Sequence, residues 1–398
     1  MTDRPEGILS GIRVLDFGRY IAGPFCAALL ADLGADVIRI EKVDGSEDRQ
    51  LIPVAGDDGG ALFLQVNRNK RSLTLSPAKP EGHEVVQRLI ATADVVVANL
   101  PALALESMGI DYASLTAVKP DIILTTVDAF GQGGPWSDRL GFDGVGQAMS
   151  GAAYLSGDPG VPSKSYVQWV DFMSATTAAF ATMAALMERG QTGRGQHVRG
   201  SLLASALTVA NSALIEQAVL APDRVATHNR AQVAGPADIY RTSDGWIVVQ
   251  VIGAPLFKRW ANLLGEDDWL TDDRFRTDKD RGDNRDLLND RMAAWCSERA
   301  SAEALEELAE ASIPAGPVLS PQGVLDHEHI RSLGFLKSIP YPGARTAPPL
   351  ADTPVTINDS TSGIRTRAPL LGEHTDEILL SLDYDGAHIK RLREQRVV

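Results

Sequence analysis

Ile12-Arg13-Val14-Leu15-Asp16-Phe17 followed by Gly18, then Gly23-Pro24 opening the run Phe25 to Leu33, then Gly34 and Asp36-Val37-Ile38-Arg39-Ile40-Glu41, form the most legible part of this 398-residue chain. The first block is a short apolar run ended by glycine, which predicts a buried strand. The middle block reads as a helix closed by Gly34, and the last as a second strand. Strand, short helix and strand in so few residues make a βαβ unit, and such a unit requires a parallel sheet.

The same alternation continues. Residues 71–75 read as a strand, 81–92 as an amphipathic helix, and 94–98 and 121–127 as strands, while Gly131-Gln132-Gly133-Gly134-Pro135 reads as loop. From Asp171 to Glu188 the residues are small or apolar on every side, which predicts a buried helix ended by Gly190. A polar linker with Pro222 and Pro236 follows. Beyond it the pattern predicts a strand over 246–252, helices over 257–264, 285–296 and 302–311, and a rigid turn at Pro314-Ala315-Gly316-Pro317-Val318. Pro342 to Pro354 reads as an extended segment and the tail from Thr375 as charged helix. The fold class is α/β: a Rossmann-like large domain plus a smaller α+β domain.

Composition narrows the function. A formal net charge of −14 argues against a nucleic-acid surface, which needs clustered Lys and Arg, though it leaves room for a local basic pocket. Two cysteines, Cys26 and Cys296, make no disulfide framework and fit a reducing compartment. Met1 to Glu6 lacks the basic start and apolar run of a secretory leader. No stretch is expected to supply the ~20 apolar residues of a membrane span. These features predict a cytoplasmic protein with neither nucleic-acid nor membrane partners.

The chemistry-bearing motifs are mostly missing. Gly18 and Gly23 do not make the Gly-x-Gly-x-x-Gly of a dinucleotide site, and no phosphate loop is present. His327 and His329 flank Glu328 without a third residue spaced for zinc, so no metal is expected. A Gly-x-Ser-x-Gly elbow is absent. Asp171 stands out, as the sole charged residue between Lys164 and Glu188 and the head of an apolar helix. Two readings stand side by side. Asp is a favoured helix N-cap; a carboxylate at a positive helix end among apolar groups is also a nucleophile for an activated carbonyl.

A set of further motifs resembles the class III CoA-transferase family, the formyl-CoA and carnitine CoA-transferase-like enzymes. They are Leu9 to Asp16, Ala22-Gly23-Pro24, Leu33 to Glu41, Asn67 to Leu73, Gln147-Ala148-Met149-Ser150-Gly151, Thr192-Gly193-Arg194-Gly195-Gln196, Pro314 to Val318 and Ala368 to Thr375, in family order over nearly the whole chain. The resemblance implies a large domain built from residues 1–221 and completed by a return segment, 336–398, with a linker and small domain over 222–335. It also implies an interlocked homodimer.

Asp171 matches the family's catalytic aspartate. The implied reaction moves CoA from an acyl-CoA donor to a free carboxylic acid through an aspartyl anhydride and an aspartyl-CoA thioester. It needs no cofactor beyond the CoA thioester itself. CoA contacts carry over to Tyr20, Ile21 and Ala22, to Lys42, and to Leu75, Asn99, Leu100 and Met108, and Arg39 lies near enough in sequence to meet a phosphate. Two departures stand out. Ser107 replaces an arginine, which leaves Lys79 and Arg139 as substitute cations, and Ile21 replaces a glutamine. The lost glutamine, with no Gly-rich loop in the small domain, argues against formyl and oxalate as substrates. Tyr166, Gln168 and Trp169 either shape the acyl pocket or pack as loop, and Arg19 is a candidate for a second substrate carboxylate. The rival on the same scaffold, α-methylacyl-CoA racemase, needs a histidine where Phe142 stands, and phenylalanine exchanges no proton.

Overall fold

The structure, a computed structural model, describes residues 7–56, 58–358 and 362–398. Met1 to Glu6, on which the expectation about a secretory leader rests, lie outside the described residues. Strands β1 (Arg13–Asp16), β2 (Asp36–Glu41), β3 (Lys70–Thr74), β4 (Val95–Ala98), β5 (Ile123–Asp128) and β6 (Gln196–Ser201) form one sheet. Its order is β3-β2-β1-β4-β5-β6, and every neighbouring pair is parallel. Parallel sheets are covered on both faces, so central strands such as Val95-Val96-Val97-Ala98 are apolar and buried throughout. One face packs against helix α2 (Pro80–Thr92) and the C-terminal helices of residues 375–380 and 386–394. The other packs against α1 (Ala22–Asp32) and a long helix described next.

Chain topology divides into two compact units. The first takes in residues up to Ser150, Ser165–Ser212 and Ser332–Val398; the second comprises Gly151–Lys164 and Ala213–Arg331. The sequence boundaries at 221/222 and 335/336 are therefore shifted, and a short hairpin of 151–164 moves to the second unit. The cause is local pairing: Gly157-Asp158 pairs with Val161-Pro162, and the His228 amide donates to the Gly157 carbonyl at 2.7 Å.

Two expectations about helices change. After α3 (Asp143–Met149), helix α4 runs Trp169–Thr192. It passes through Gly190 and ends at Gly193, whose φ of 69° is the left-handed conformation that terminates a helix. It is buried on one stripe only: Val170, Asp171, Ser174, Ala175, Ala178, Ala179, Thr182 and Ala185. Small residues on this stripe let α4 lie close on α1, where Phe172 meets Phe25 edge-on at 4.8 Å. The opposite face is open, with Phe180 74% and Met187 69% exposed. Sequence reading also missed β6 and the helix after it, α5 (Leu202–Leu220). Helices α4 and α5, of 24 and 19 residues, are long and apolar enough to cross a membrane by length and composition, which corrects the expectation that no such stretch exists.

In the second unit β7 (Ala237–Arg241), β8 (Trp246–Gln250) and β9 (Ala315–Pro317) form an antiparallel sheet. Residues 314–318, expected as a rigid turn, thus hold a strand, because Ala315 to Pro317 pair with Val249 to Ile247. Helices α6 (Ala254–Leu264), α7 (Arg285–Ser297) and α8 (Ser301–Glu310) bury Phe257, Trp260, Met292 and Leu308 in this unit's own core.

Candidate functional site

In the order β3-β2-β1-β4-β5-β6 the chain reverses direction of growth between β1 and β4, and ligands of open parallel sheets bind outside the strand ends at such a point. The turn leaving β1 there is held by three side chains. The Gly18 amide donates to Asp16 Oδ1 at 2.8 Å, and the Tyr20 amide to Asp48 Oδ2 at 3.1 Å. Asn99, at the end of β4, accepts from the Arg19 amide at 2.7 Å and donates back to the Arg19 carbonyl at 2.9 Å. These bonds hold Tyr20 at a φ of 60°, a conformation a tyrosine does not adopt unaided.

Tyr20, Ile21, Ala22, Asn99 and Leu100 thus stand together at the switch point. Lys42 and Leu75 directly follow β2 and β3, and Met108 ends the helix Ala102–Met108 that follows β4. Their roles differ by burial. Ile21, Ala22 and Leu75 are buried in the core. Lys42 is exposed and paired with Glu47. Arg39 departs from the expectation. Its guanidinium is wholly buried, donating to both Asp48 oxygens at 2.9 and 2.8 Å and to Asn67 Oδ1 at 3.1 Å. It meets no solvent, and it holds the carboxylate that holds Tyr20. Arg19 likewise spends Nη1 on the carbonyls of Phe17, Gly18 and Ile40. Lys79 donates to the Gln395 and Arg396 carbonyls, and Arg139 is exposed over the Trp136 ring at 4.0 Å.

Asp171 lies in the first turn of α4, where the N-cap position is Gln168 and makes no side-chain cap. The capping reading of Asp171 therefore fails. The cap comes from another helix: Asp143 Oδ2 accepts the Val170 amide at 2.8 Å and the Asp171 amide at 3.2 Å. Glycine makes this approach possible, because a Cβ at Gly146 would fall 2.9 Å from Val170 Cγ1. Gln147 in turn donates to Asp143 Oδ1. Among the described residues no group donates to the Asp171 carboxyl, which is 8% exposed. Burial and, second to it, the neighbouring Asp143 charge together raise this carboxyl to about 7.

Phe142, next to Asp143, meets Tyr20 edge-on at 5.6 Å between ring centres. That contact joins the β1 turn to the Asp143–Asp171 pair. The structure thus links a poorly solvated carboxylate to the turn at the switch point of the sheet. Residues 9–375 match the sequence profile of CoA-transferase family III.

The chain belongs to that family. It is a class III CoA-transferase, and enzymes of this class act on CoA thioesters. Succinyl-CoA–D-citramalate CoA-transferase of Chloroflexus aurantiacus is 31% identical, with 100% of each chain covered. Succinate–glutarate CoA-transferase of Agrobacterium fabrum is 31% identical over 96% of this chain and 98% of its own. The crystal structure of a CAIB/BAIF family protein from Brucella suis is similar at a TM-score of 0.82 and 31% identity, covering 95% of this chain and 100% of that one.

Asp143 was not singled out from the sequence, although it sits in Gly141-Phe142-Asp143 and four residues before Gln147. Its helix is short, and nothing in the local pattern shows that it faces the start of α4. Trp169 packs partly into the core, whereas Tyr166 is 89% exposed and Gln168 exposed.

Proposed function

We propose that Asp171 carries the transfer as a nucleophile, in four balanced steps. Its carboxylate attacks the donor thioester carbonyl, the C–S bond breaks, and a mixed anhydride and CoA thiolate result. The thiolate then attacks the aspartyl carbonyl, expelling the donor acid and leaving an aspartyl-CoA thioester. An acceptor carboxylate attacks that thioester, again releasing thiolate and forming a second anhydride. Thiolate attack on the acceptor's carbonyl yields the new acyl-CoA and regenerates Asp171. Each step exchanges groups of similar activation on one carboxylate, so no nucleotide drives it.

The observation that carries this reading is a carboxylate with no hydrogen-bond donor among the described residues, while Asp143 takes the Val170 and Asp171 amides of its helix. Poor solvation raises its basicity and strengthens it as a nucleophile. Above its raised value it is ionised and competent. CoA binds, in this reading, along the edge formed by Tyr20, Ile21, Ala22, Lys42, Leu75, Asn99, Leu100 and Met108. Phe142 leaves the α-proton without an acid–base partner, which disfavours racemase chemistry.

A second copy of the chain covers the apolar faces of α4 and α5 in this proposal. Phe180, Met187, Val219 and Leu220 are 74, 69, 73 and 69% exposed, which is unusual for one soluble chain. The free, buried Cys26 and Cys296 support a reducing, cytoplasmic setting. The decisive experiment incubates the protein in D2O with acyl-CoA donors, succinyl-CoA first, and a panel of free acids, followed by mass spectrometry. New acyl-CoA that disappears in Asp171→Ala supports the proposal. Deuterium at the α-carbon without CoA movement, or transfer that survives Asp171→Ala, overturns it.

A further inference from the structure

Asp171 presents an uncommon arrangement for an acidic residue in the first turn of a helix. Such a carboxylate ordinarily turns back onto the free amides of its own helix, which attract negative charge. Here the amides of Val170 and Asp171 are occupied by Asp143 Oδ2, at 2.8 and 3.2 Å. A second anchor on the other oxygen fixes such a carboxylate in place, because χ2 of an aspartate is broad. The anchor is Gln147, one helical turn beyond Asp143 on α3, where residues four apart share a face.

Gln147 is 2% exposed and uses both ends of its amide. Its Nε2 donates to Asp143 Oδ1 and, at 3.4 Å, to the Val167 carbonyl, while its Oε1 accepts the Ser165 amide at 2.8 Å. One side chain therefore ties α3 to the segment that leads into α4. Neither Asn nor an apolar residue reproduces this: the shorter amide lacks the reach, and the apolar chain lacks donor and acceptor.

We propose that Gln147 is a positioning residue for the transfer reaction: it locks Asp143 as the cap of the α4 helix, and so leaves the Asp171 carboxylate unpartnered and directed at the substrate. This rests on Asp171 being the nucleophile. Without Gln147, Asp143 swings off the helix end, and Asp171 folds back to take the vacated amides. The nucleophile then loses both its orientation and its basicity, since hydrogen bonds to the charged form stabilise it.

The test uses the full-length protein with Gln147→Met, which keeps volume without hydrogen bonds, and Gln147→Glu, which keeps size and the acceptor. Circular dichroism confirms that each folds. The titration of Asp171 is followed by infrared spectroscopy, as the protonated-carboxyl band that disappears in Asp171→Asn, and needs no substrate. In Gln147→Met its midpoint is expected to fall from about 7 toward the ordinary carboxylate range. With succinyl-CoA and isotope-labelled succinate as probe, kcat should fall about a hundredfold with little change in KM, the signature of a misplaced reacting group. Gln147→Glu donates to Asp143 only while protonated, so the ratio of its activity to that of the unchanged protein should fall as the pH rises. An unmoved midpoint in Gln147→Met, or a ratio in Gln147→Glu that does not change with pH, overturns the proposal even if stability drops. Asp171→Ala run alongside separates the two ideas: retained transfer there defeats the nucleophile itself, whereas an inactive Asp171→Ala beside unaltered Gln147 variants defeats only the role of Gln147.

Discussion

Replacing Asp171 by asparagine should make the folded protein more stable at pH 8 while abolishing transfer. The Asp171 carboxyl titrates near 7 in the folded chain against an ordinary 3.8. Between those values the folded chain holds a proton that the unfolded chain has released. Stability therefore falls as pH rises through this window, and is flat below and above it. The slope is about 1.4 kcal/mol per pH unit, so the full window is worth about 4 kcal/mol, an upper bound that water entry on ionisation reduces. Asparagine keeps the shape without a titration, and other groups cancel in the comparison. Urea unfolding of both proteins, followed by far-ultraviolet circular dichroism from pH 3.5 to 8, measures the difference. The variant's advantage should grow steadily from about pH 4 to about pH 7 and then level off. An advantage that does not change with pH would refute the argument that Asp171 is held in a poorly solvating site.

Three further outcomes test the rest of the site. Arg39→Met strands the buried Asp48 carboxylate, a loss of about 3–5 kcal/mol in denaturant unfolding, and calorimetry should show weaker CoA binding as Tyr20 loses its anchor. Asn99→Ala leaves the Arg19 amide and carbonyl without their partner, so KM for acyl-CoA should rise roughly tenfold or more with kcat little altered. If a second copy covers the open apolar faces as proposed, paired charges there, Phe180→Asp with Val219→Asp, should halve the particle mass measured by light scattering in detergent-free buffer; an unchanged mass would refute that proposal.

Arg39 shows where inference from sequence stops. Its type and position suit a phosphate, and only the neighbours Asp48, Glu41 and Asn67 reveal that its charge is already engaged in the interior. The same holds for Lys79, whose ammonium is spent on two carbonyls from the far end of the chain. Helix α4 was legible as a helix because its residues are apolar, yet which face is covered depends on α1 and the sheet. Strand β6 and helix α5 adjoin with no loop between them, since the helix begins directly at Leu202 after Ser201, and the only local marks of the boundary are Gly200 and Ser201, whose Oγ accepts the Ala204 amide at 3.1 Å.

What the amino-acid sequence determined by itself is local and repetitive: the βαβ start, the first five strands of the large sheet, the family motifs, and the position of one acidic residue heading an apolar helix. These follow from short-range rules, because hydrophobic period and glycine placement act over a few residues. The tertiary structure alone decided what that acidic residue does at its helix end. Asp171 is not its own cap because Asp143, 28 residues earlier, reaches the amides first. Competition for a hydrogen-bond donor is settled in space, between groups that packing brings together, and no spacing along the chain encodes which of two carboxylates will win it.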